Sequence, residues 1–360
     1  MVDFTKFYTL NTQLIHSENY IKPQVNENFT PISQLEMISV ICPVYNEAHH
    51  IGDVLNFFLS APPVNKELIL IDGQSSDNTI EIIQAFKQKH PLSNIQLLNN
   101  PDRYVPYALN NAIKAAKGYI IVRLDAHTDY SNNYFESIID IFDKTGADIV
   151  GGPMRIANGN PVQNAIGFAT STIFGVGNSS FHFEEFEGFT ETVYLGAWKR
   201  EMFEKTGLFD TTFKRNQDDE FHYRAKSLGF KVYQHPSIKL FYHPRKTLAL
   251  LFSQYHQYGL YKPLVLKKIK SAINIRHIIP SLFVGYLAAV PILLIFGLNI
   301  LLLPLALYFL TSAGFAISSK KRLSEMLLIP VVYFIIHFAY GSGFIQGILN
   351  NPAKARSHKN

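Results

Sequence analysis

The sequence predicts an α/β domain with a mostly parallel sheet, followed by a C-terminal α-helical membrane region. Short apolar runs alternate with amphipathic helical stretches over residues 38–124, which is the pattern of consecutive βαβ units. The apolar runs are continuous, so helices are expected to cover both faces of the sheet. Residues 278–319 contain no Asp, Glu, Lys or Arg, and a bilayer span needs only about 20 apolar residues.

The elements of the α/β domain follow in order along the first third of the chain. Strands are predicted at residues 38–44, 67–71, 95–98 and 119–124, and helices at residues 48–59, 79–90 and 107–116. Ligands of open α/β sheets bind beyond the carboxyl ends of the strands. Asn46, Glu47, Asp72 and Asp125 all fall at such ends, so a ligand site is expected there.

Composition divides the chain into five parts. We expect an N-terminal arm at residues 1–36, the α/β domain at 37–244, a basic amphipathic interfacial region at 245–277, membrane helices at 278–350 and a tail at 351–360. The membrane part fits two spans at 278–319 and a third at 326–349. A third span would place the basic tail outside, against the positive-inside tendency. A re-entrant or interfacial last segment, interrupted at Gly341 and Gly343, is therefore the alternative.

The charge distribution favours a membrane partner over nucleic acid. The net charge is +5, and residues 245–276 contain seven Lys or Arg and no acid. A basic, aromatic-rich stretch directly before a span is typical of contact with anionic headgroups on the cytoplasmic face. The first twenty residues lack the apolar core of a signal peptide, and the single cysteine, Cys42, fits a reducing compartment. We therefore expect a multi-pass cell-membrane protein with a cytoplasmic catalytic domain.

Asp125 and His127 are candidate metal ligands. They stand two residues apart at the end of an apolar strand, and such side chains point to the same side of an extended chain. A carboxylate and an imidazole aimed outward from a buried strand suit a metal ion better than a core. His243 is a candidate third ligand, with a purely structural histidine as the alternative.

Four polar clusters follow apolar segments in a specific order: PVYNE at 43–47, DGQSSD at 72–77, DAH at 125–127 and NQDDE at 216–220. With the Gly151–Gly152 pair and a later HPR…QY…YG segment, this order resembles the inverting glycosyltransferases of family 2. Within that family it is most similar to the exopolysaccharide enzymes of the succinoglycan type. The resemblance covers residues 37–257 and implies a GT-A fold, a nucleotide-sugar donor (a UDP-sugar) and a divalent metal ion.

The resemblance assigns roles residue by residue. Asp218 would be the general base, Asp72 would bind uracil, Glu47 would lie at the nucleoside, and Asp125 would contact the ribose or the diphosphate. Pro43 and Tyr45 belong to the same donor-binding motif. His127 replaces the second aspartate of the usual Asp-x-Asp motif, which shifts the expected metal from Mg²⁺ towards Mn²⁺ because nitrogen ligands suit softer ions. Gln217 replaces the first acid of the usual Glu-Asp pair.

Further residues are candidates for the site, and some of them also have a purely structural interpretation. Arg103 is a candidate diphosphate contact, and Asn110 is a candidate donor contact unless it only covers a helix surface. Asp219 competes with Asp218 for the role of base. Arg245, Gln254 and Tyr258 are candidates for the acceptor or its diphosphate, and so is Trp198, for which core packing is the safer interpretation. Glu220 and Arg224 are expected to form a helical ion pair.

These predictions describe a membrane-bound inverting glycosyltransferase that acts on a lipid-linked glycan in exopolysaccharide or surface-glycan synthesis. One alternative is a transferase that acts directly on polyprenyl phosphate or a glycerolipid. A second alternative is a membrane scaffold with a degenerate transferase-like domain. The processive synthases differ by a Gln-x-x-Arg-Trp motif after the base, which this sequence lacks.

Overall fold

The computed structural model describes residues 37–350, so the predicted arm at 1–36 and tail at 351–360 lie outside the described residues. The strands are β1 Ile38–Val44, β2 Lys66–Asp72, β3 Ile95–Asn99, β4 Ile120–Arg123, β5 Thr128–Tyr130, β6 Ile149–Gly152, β7 Met154–Ile156, β8 Gly188–Phe189, β9 Tyr194–Lys199, β10 Val232–Gln234 and β11 Leu240–Tyr242. The first helices are α1 Ile51–Ser60, α2 Thr79–Lys89, α3 Val105–Ala115, α4 Tyr134–Thr145, α5 Pro161–Thr170 and α6 Ile173–Val176. The later helices are α7 Met202–Thr206, α8 Gln217–Ser227, α9 Leu248–Lys268, α10 Ile279–Ile295, α11 Leu303–Ser318 and α12 Leu323–Asn350.

The main sheet has eight strands in the order β3-β2-β1-β4-β9-β6-β10-β8. The strands β3, β2, β1 and β4 are parallel to one another, while β9 runs antiparallel to both of its neighbours. The predicted α/β fold is therefore confirmed, and the four strands and three helices predicted over residues 38–124 all form. The sheet order changes direction at β1 and β4, which carry Glu47 and Asp125 at their ends. In open α/β sheets this is where a ligand site is expected.

Apolar side chains cover both faces of the sheet, as the continuous apolar strands predict. One core cluster joins β1, β2 and β4 to α1 and α4. The other lies on the opposite face and joins Ile41 and Ile121 to α3, Trp198 and α8. Because β1, β2 and β4 are buried on both sides, the polar groups that leave the ends of these strands are held in a rigid frame.

A second sheet of three strands, in the order β5-β11-β7, lies beside the ends of the main sheet. Strand β5 follows directly after Asp125–His127, and β11 pairs antiparallel with it between Leu240 and Tyr130. Tyr130 fixes this corner, since its hydroxyl accepts a hydrogen bond from the backbone N–H of Asp125 at 2.8 Å. The small sheet therefore orients the predicted metal-binding segment.

Three helices are long and apolar enough to cross a membrane: Ile275–Ile295, Asn299–Ser318 and Leu323–Asn350. An apolar stretch of 18 residues in the first contains no residue buried within the chain, whereas 44% of the corresponding stretch in the third is buried. The third packs along α9, and Gly343 permits close contact because a Cβ there would collide with the carbonyl oxygen of His256. The interruption predicted at Gly341 and Gly343 is wrong. The helix is continuous, and these glycines serve helix packing.

Candidate active site

A cavity of about 950 Å³ lies at the carboxyl ends of β1, β2 and β4. It is bounded by the α/β domain on one side and by α9, α10 and α12 on the other. Most of the predicted site residues line this cavity: Pro43, Tyr45, Glu47, Arg103, Asp125, His127, Asp218, Asp219, Arg245, Gln254 and Tyr258. The sequence prediction of a single site at the strand ends thus agrees with the geometry.

Two loops at the ends of β1 and β2 are tied to each other at the outer end of the cavity. Asn46 has a left-handed backbone, with φ of 54°. Its side-chain oxygen accepts a hydrogen bond from the backbone N–H of Ser76 at 2.8 Å. Asp77 accepts hydrogen bonds from the backbone N–H of Ala48 and from Thr79, and the bond from Thr79 lowers the pKa of its carboxyl. These cross-links fix Tyr45 and Glu47 at the cavity wall.

Asp72, the predicted uracil ligand, closes the turn after β2. It is buried, and its carboxylate accepts hydrogen bonds from the backbone N–H groups of Gln74 and Ser75 at 2.9 and 3.2 Å. Its neighbour Gly73 lines the cavity. Arg103, also at the wall, has φ of 63° and donates from Nε to Gln74 Oε1 at 2.6 Å. A base-binding role for Asp72 stays a prediction.

Asp125 lines the cavity in an ion pair with Arg123. Arg123 donates from Nε and Nη2 to Asp125 Oδ1 at 3.1 and 3.0 Å. Burial alone would lower the pKa of Arg123, but the charges of Asp125 and Asp218 raise it above its usual range. Arg123 Nη1 is buried without a partner in the part of the chain that the structure describes. This cation therefore faces both predicted acids and keeps a free donor for a ligand.

His127 lies beside Glu47, with Nδ1 at 3.3 Å from Glu47 Oε1. This contact raises the pKa of the His127 imidazole. Burial alone would lower this pKa, and the charge of Asp125 raises it further. Glu47 follows the end of β1 and His127 follows the end of β4, and these two strands are neighbours in the sheet. Sheet pairing therefore brings together two residues that are eighty positions apart.

His243 does not complete a metal site with Asp125. Its Nε2 lies 2.9 Å from Oδ2 of Asp129 in β5, where the two side chains line a separate cavity of about 240 Å³ together with His127. Among residues 37–350 no group of three or more His, Cys, Asp or Glu is placed to hold an ion. Metal binding by Asp125 and His127 stays a prediction; a metal that binds substrate phosphates needs only one or two protein ligands.

Asp218 and Asp219 begin helix α8 and occupy different environments. Burial raises the pKa of Asp218, partly offset by the nearby charge of Arg123. Burial would also raise the pKa of Asp219, but an ion pair with Lys262, at 2.6 Å from Nζ to Oδ2, holds it below its usual range. A base works best when its pKa approaches the working pH. The raised pKa of Asp218 suits a general base better than the lowered pKa of Asp219, and the base assignment stays a prediction.

The side of the cavity near the membrane helices carries the predicted acceptor residues Arg245, Gln254 and Tyr258. Gln254 donates to the Tyr258 hydroxyl at 2.9 Å, as expected for residues one turn apart on α9. Arg245 donates to Gln254 at 3.3 Å. Burial raises the pKa of Tyr258 to about 12, and Asp218 contributes to this shift. This places the phenol near the candidate base.

Two predicted site residues are structural instead. Trp198 is fully buried in β9, where its ring packs edge-to-face against Phe209 and Phe221. The prediction of an acceptor contact is wrong here, and core packing is the correct interpretation. Asn110 is also wrong as a donor contact. Its side chain accepts from the backbone N–H of Phe209 at 2.9 Å and donates to the Phe209 carbonyl at 2.8 Å.

Several cavity residues were missed by the sequence analysis. Arg123 was detectable, because it is a lone charge inside an otherwise apolar strand. Asn100 is buried with its side-chain oxygen unpartnered within the described residues, and it follows β3 much as Asp125 follows β4. Lys262, Arg276 and His277 also line the cavity. The sequence places them only in a basic region, and their position depends on how α9 and α10 pack.

Comparison with known proteins agrees with this geometry. The model of the family described as glycosyl transferase family 2 matches residues 39–207. This domain belongs to glycosyltransferase family 2. The matched range contains Glu47, Asp72, Asp125 and His127, while Asp218 lies beyond it. Family membership and the arrangement of these residues make the chain a glycosyltransferase, so the scaffold alternative is not favoured.

Two curated relatives extend over almost the whole chain. A Methanococcus voltae protein, dolichyl N-acetyl-alpha-D-glucosaminyl phosphate 3-beta-D-2,3-diacetamido-2,3-dideoxy-beta-D-glucuronosyltransferase, is 28% identical over 88% of this chain and 98% of its own length. The succinoglycan biosynthesis protein ExoA of Rhizobium meliloti (strain 1021) is 27% identical over 86% of this chain and 94% of its own length. The family 2 glycosyltransferase described here therefore falls in the exopolysaccharide-type branch, as predicted.

Among solved structures, a mannosyltransferase from Pyrobaculum calidifontis in complex with GDP-mannose and Mn²⁺ resembles this glycosyltransferase with a TM-score of 0.61. The two chains are 16% identical, and the match covers 96% of this chain and 94% of the other. At this identity the comparison shows the fold alone. It confirms the predicted GT-A α/β domain with C-terminal helices. The three helices that are long and apolar enough to cross a bilayer support a membrane protein.

Proposed function

We propose that this protein transfers a sugar with inversion from a nucleotide donor, a UDP-sugar, to a lipid-linked glycan at the cytoplasmic face of the cell membrane. The observation that carries the proposal is the continuity of one cavity. Donor-type residues (Tyr45, Glu47), Asp218 and the helices near the membrane all line it. Such a space suits a reaction in which a soluble donor meets an acceptor held in the bilayer.

Asp218 is the proposed general base. In an inverting displacement the acceptor hydroxyl attacks the anomeric carbon opposite the leaving group, and a carboxylate on that side takes the hydroxyl proton. Asp218 lines the cavity together with Asp125, and Arg123 interacts electrostatically with both. The nucleoside diphosphate leaves with the bonding electrons, and Arg103 and Arg123 are the cations at the wall that stabilise its charge.

Asp125 and His127 are the residues that would hold a divalent metal ion, with Mn²⁺ favoured over Mg²⁺ by the imidazole. When bound, such an ion neutralises charge on the departing nucleoside diphosphate. The mannosyltransferase from Pyrobaculum calidifontis was solved with Mn²⁺, which agrees with this proposal. Glu47 would fix the ring orientation of His127 through the 3.3 Å contact at Nδ1.

The lipid-linked acceptor is supported by two relatives. One is named as acting on a dolichyl-linked N-acetylglucosaminyl phosphate, and the other as a succinoglycan biosynthesis protein. Both extend over the C-terminal helices of this chain. The basic stretch that precedes the first candidate span supports a cytoplasmic position for the catalytic domain.

A donor screen tests the function. The full chain, purified in detergent, is supplied with UDP- and GDP-sugars and lipid-linked saccharides, with Mn²⁺, with Mg²⁺ or with EDTA, and release of nucleoside diphosphate and labelled product is measured. Asp218→Asn is expected to lower transfer by about 10²–10⁴-fold while nucleotide binding is retained. Asp219→Asn is the matched variant and should keep most activity. Equal turnover by Asp218→Asn and the unaltered protein would overturn the base assignment.

A further inference from the structure

The cavity continues past Asp218 to an inner end between the juxtamembrane helices. Two cations, Lys262 on α9 and Arg276 just before α10, line this end together with His277 and His182. Arg276 and His277 add to the effect of Lys262 in lowering the pKa of Asp219. These groups therefore lie within electrostatic range of the residue that follows the proposed base.

Polar atoms at this inner end lack partners within the described residues. His277 is only 6% exposed, and its Nδ1 is buried with no hydrogen bond. The Nδ1 of His182 and the hydroxyl of Tyr340 are also buried without a hydrogen bond within the described residues. Both residues line the cavity. Buried polar groups in folded proteins nearly always have a partner, so several orphans at one place indicate a ligand that supplies it.

The ion pairs at this end are arranged so that a bound anion can replace the carboxylate of Glu191. Buried Lys262 pairs with the partly buried Asp219. Arg276 donates to Glu191 Oε2 at 3.0 Å and to Asn178 at 2.7 Å. Glu191 comes from the loop before β9, and its side chain is 41% exposed. The same carboxylate accepts a hydrogen bond from the Tyr223 hydroxyl at 2.9 Å. Movement of the exposed Glu191 side chain into solvent would give up that bond and free Arg276 for a ligand.

The wall next to these polar groups is apolar. Ile279, Pro280 and Phe283 of α10 line the cavity beside His277. They belong to the candidate span Ile275–Ile295, in which an apolar stretch of 18 residues contains no residue buried within the chain. A ligand bound here would have an anionic group at the polar cluster and a hydrocarbon part along a surface suited to lipid.

We infer that Lys262, Arg276 and His277 bind the phosphate that joins the acceptor glycan to its lipid, and that the lipid chain runs along the helix that begins at Ile279. This inference rests on the proposed function, because it names the part of the acceptor held next to the base. Because Lys262 Nζ lies 2.6 Å from Oδ2 of Asp219, the residue next to Asp218, a phosphate held by this cluster would lie close to the proposed base. The acceptor is therefore an early, short lipid-linked saccharide.

Binding of farnesyl diphosphate to the full chain in detergent tests the inference without a donor. We expect it to bind more tightly than farnesol or inorganic pyrophosphate, and excess UDP should not displace it. Arg276→Gln should raise its Kd about ten-fold, which corresponds to about 1.4 kcal/mol, and Glu191→Gln should lower the Kd because a competing anion is removed. Lys267 is an exposed lysine on the same helix as Lys262, and Lys267→Gln should leave the Kd for farnesyl diphosphate unaltered.

The paired variants separate binding from folding. Damage to the fold would raise the Kd for farnesyl diphosphate in both Arg276→Gln and Glu191→Gln, and would also weaken UDP binding. Opposite changes with UDP binding unaltered support the site. Displacement by UDP would assign the ligand to the donor site, and displacement by phosphatidylglycerol micelles would make it a general headgroup site. Either outcome overturns the inference. Absence of sugar transfer with every donor would instead refute the proposed function.

Discussion

Lys262 Nζ donates to Asp219 Oδ2 at 2.6 Å, so the helix that leads to the membrane is joined to the helix that carries the proposed base. The Lys262 side chain is 7% exposed and that of Asp219 27%. Both charges are thus largely removed from water, and each depends on the other. Helix α8 is held in place by this pair at one end and by Glu220 with Arg224 and Lys268 further along.

We predict that Lys262→Met destabilises the protein by about 1–3 kcal/mol, because it leaves a carboxylate that is only 27% exposed without its partner. The double variant Lys262→Met/Asp219→Asn should recover most of the loss, since no unpaired charge remains. Melting temperatures in detergent at one scan rate measure both, with exposed Lys267→Met as the control. A double variant that melts as low as the single one would contradict this account of the pair.

The pH dependence of transfer provides a second prediction. Asp218 acts as a base only when ionised, and burial raises its pKa, so kcat/KM should fall as the pH drops through a value above the usual aspartate range. Arg123 lowers this pKa and Asp219 raises it. Arg123→Gln should therefore move the acid limb to higher pH, and Asp219→Asn should move it to lower pH. Profiles of kcat/KM for the three proteins measure this, and shifts of the same sign would refute it.

Metal preference provides a third prediction. His127→Ala should weaken Mn²⁺ activation on the order of ten-fold or more, the scale found even for changes in the surroundings of metal ligands. His127→Asp restores two carboxylates and should raise activity with Mg²⁺ relative to Mn²⁺, because oxygen ligands suit the harder ion. His243→Ala is the matched control and should leave the metal dependence unaltered, because His243 pairs with Asp129. Metal titrations of sugar transfer measure all three.

Much of the fold and part of the site are predictable from the sequence. Periodicity and polar strand ends place Glu47, Asp125 and His127 correctly, since parallel strands bring their ends to one edge of the sheet. Pattern reading fails where packing between distant segments decides. Arg276 reaches the neighbourhood of Asp219 only through the arrangement of α8, α9 and α10. Trp198 was ambiguous because a buried aromatic and a sugar platform look alike in a sequence.

Asn110 is the clearest case of a polar residue that serves the fold, and it gives a fourth prediction. Asn110→Ala removes both hydrogen bonds to the Phe209 backbone and leaves a buried N–H and carbonyl unpaired, at a cost of about 1–3 kcal/mol. The melting temperature should fall, while KM for the donor and kcat should stay unaltered below the melting range. Asn111→Ala, the next residue on the same helix and only partly buried, should change neither quantity. A raised KM for the donor with an unaltered melting temperature would instead support a donor contact by Asn110.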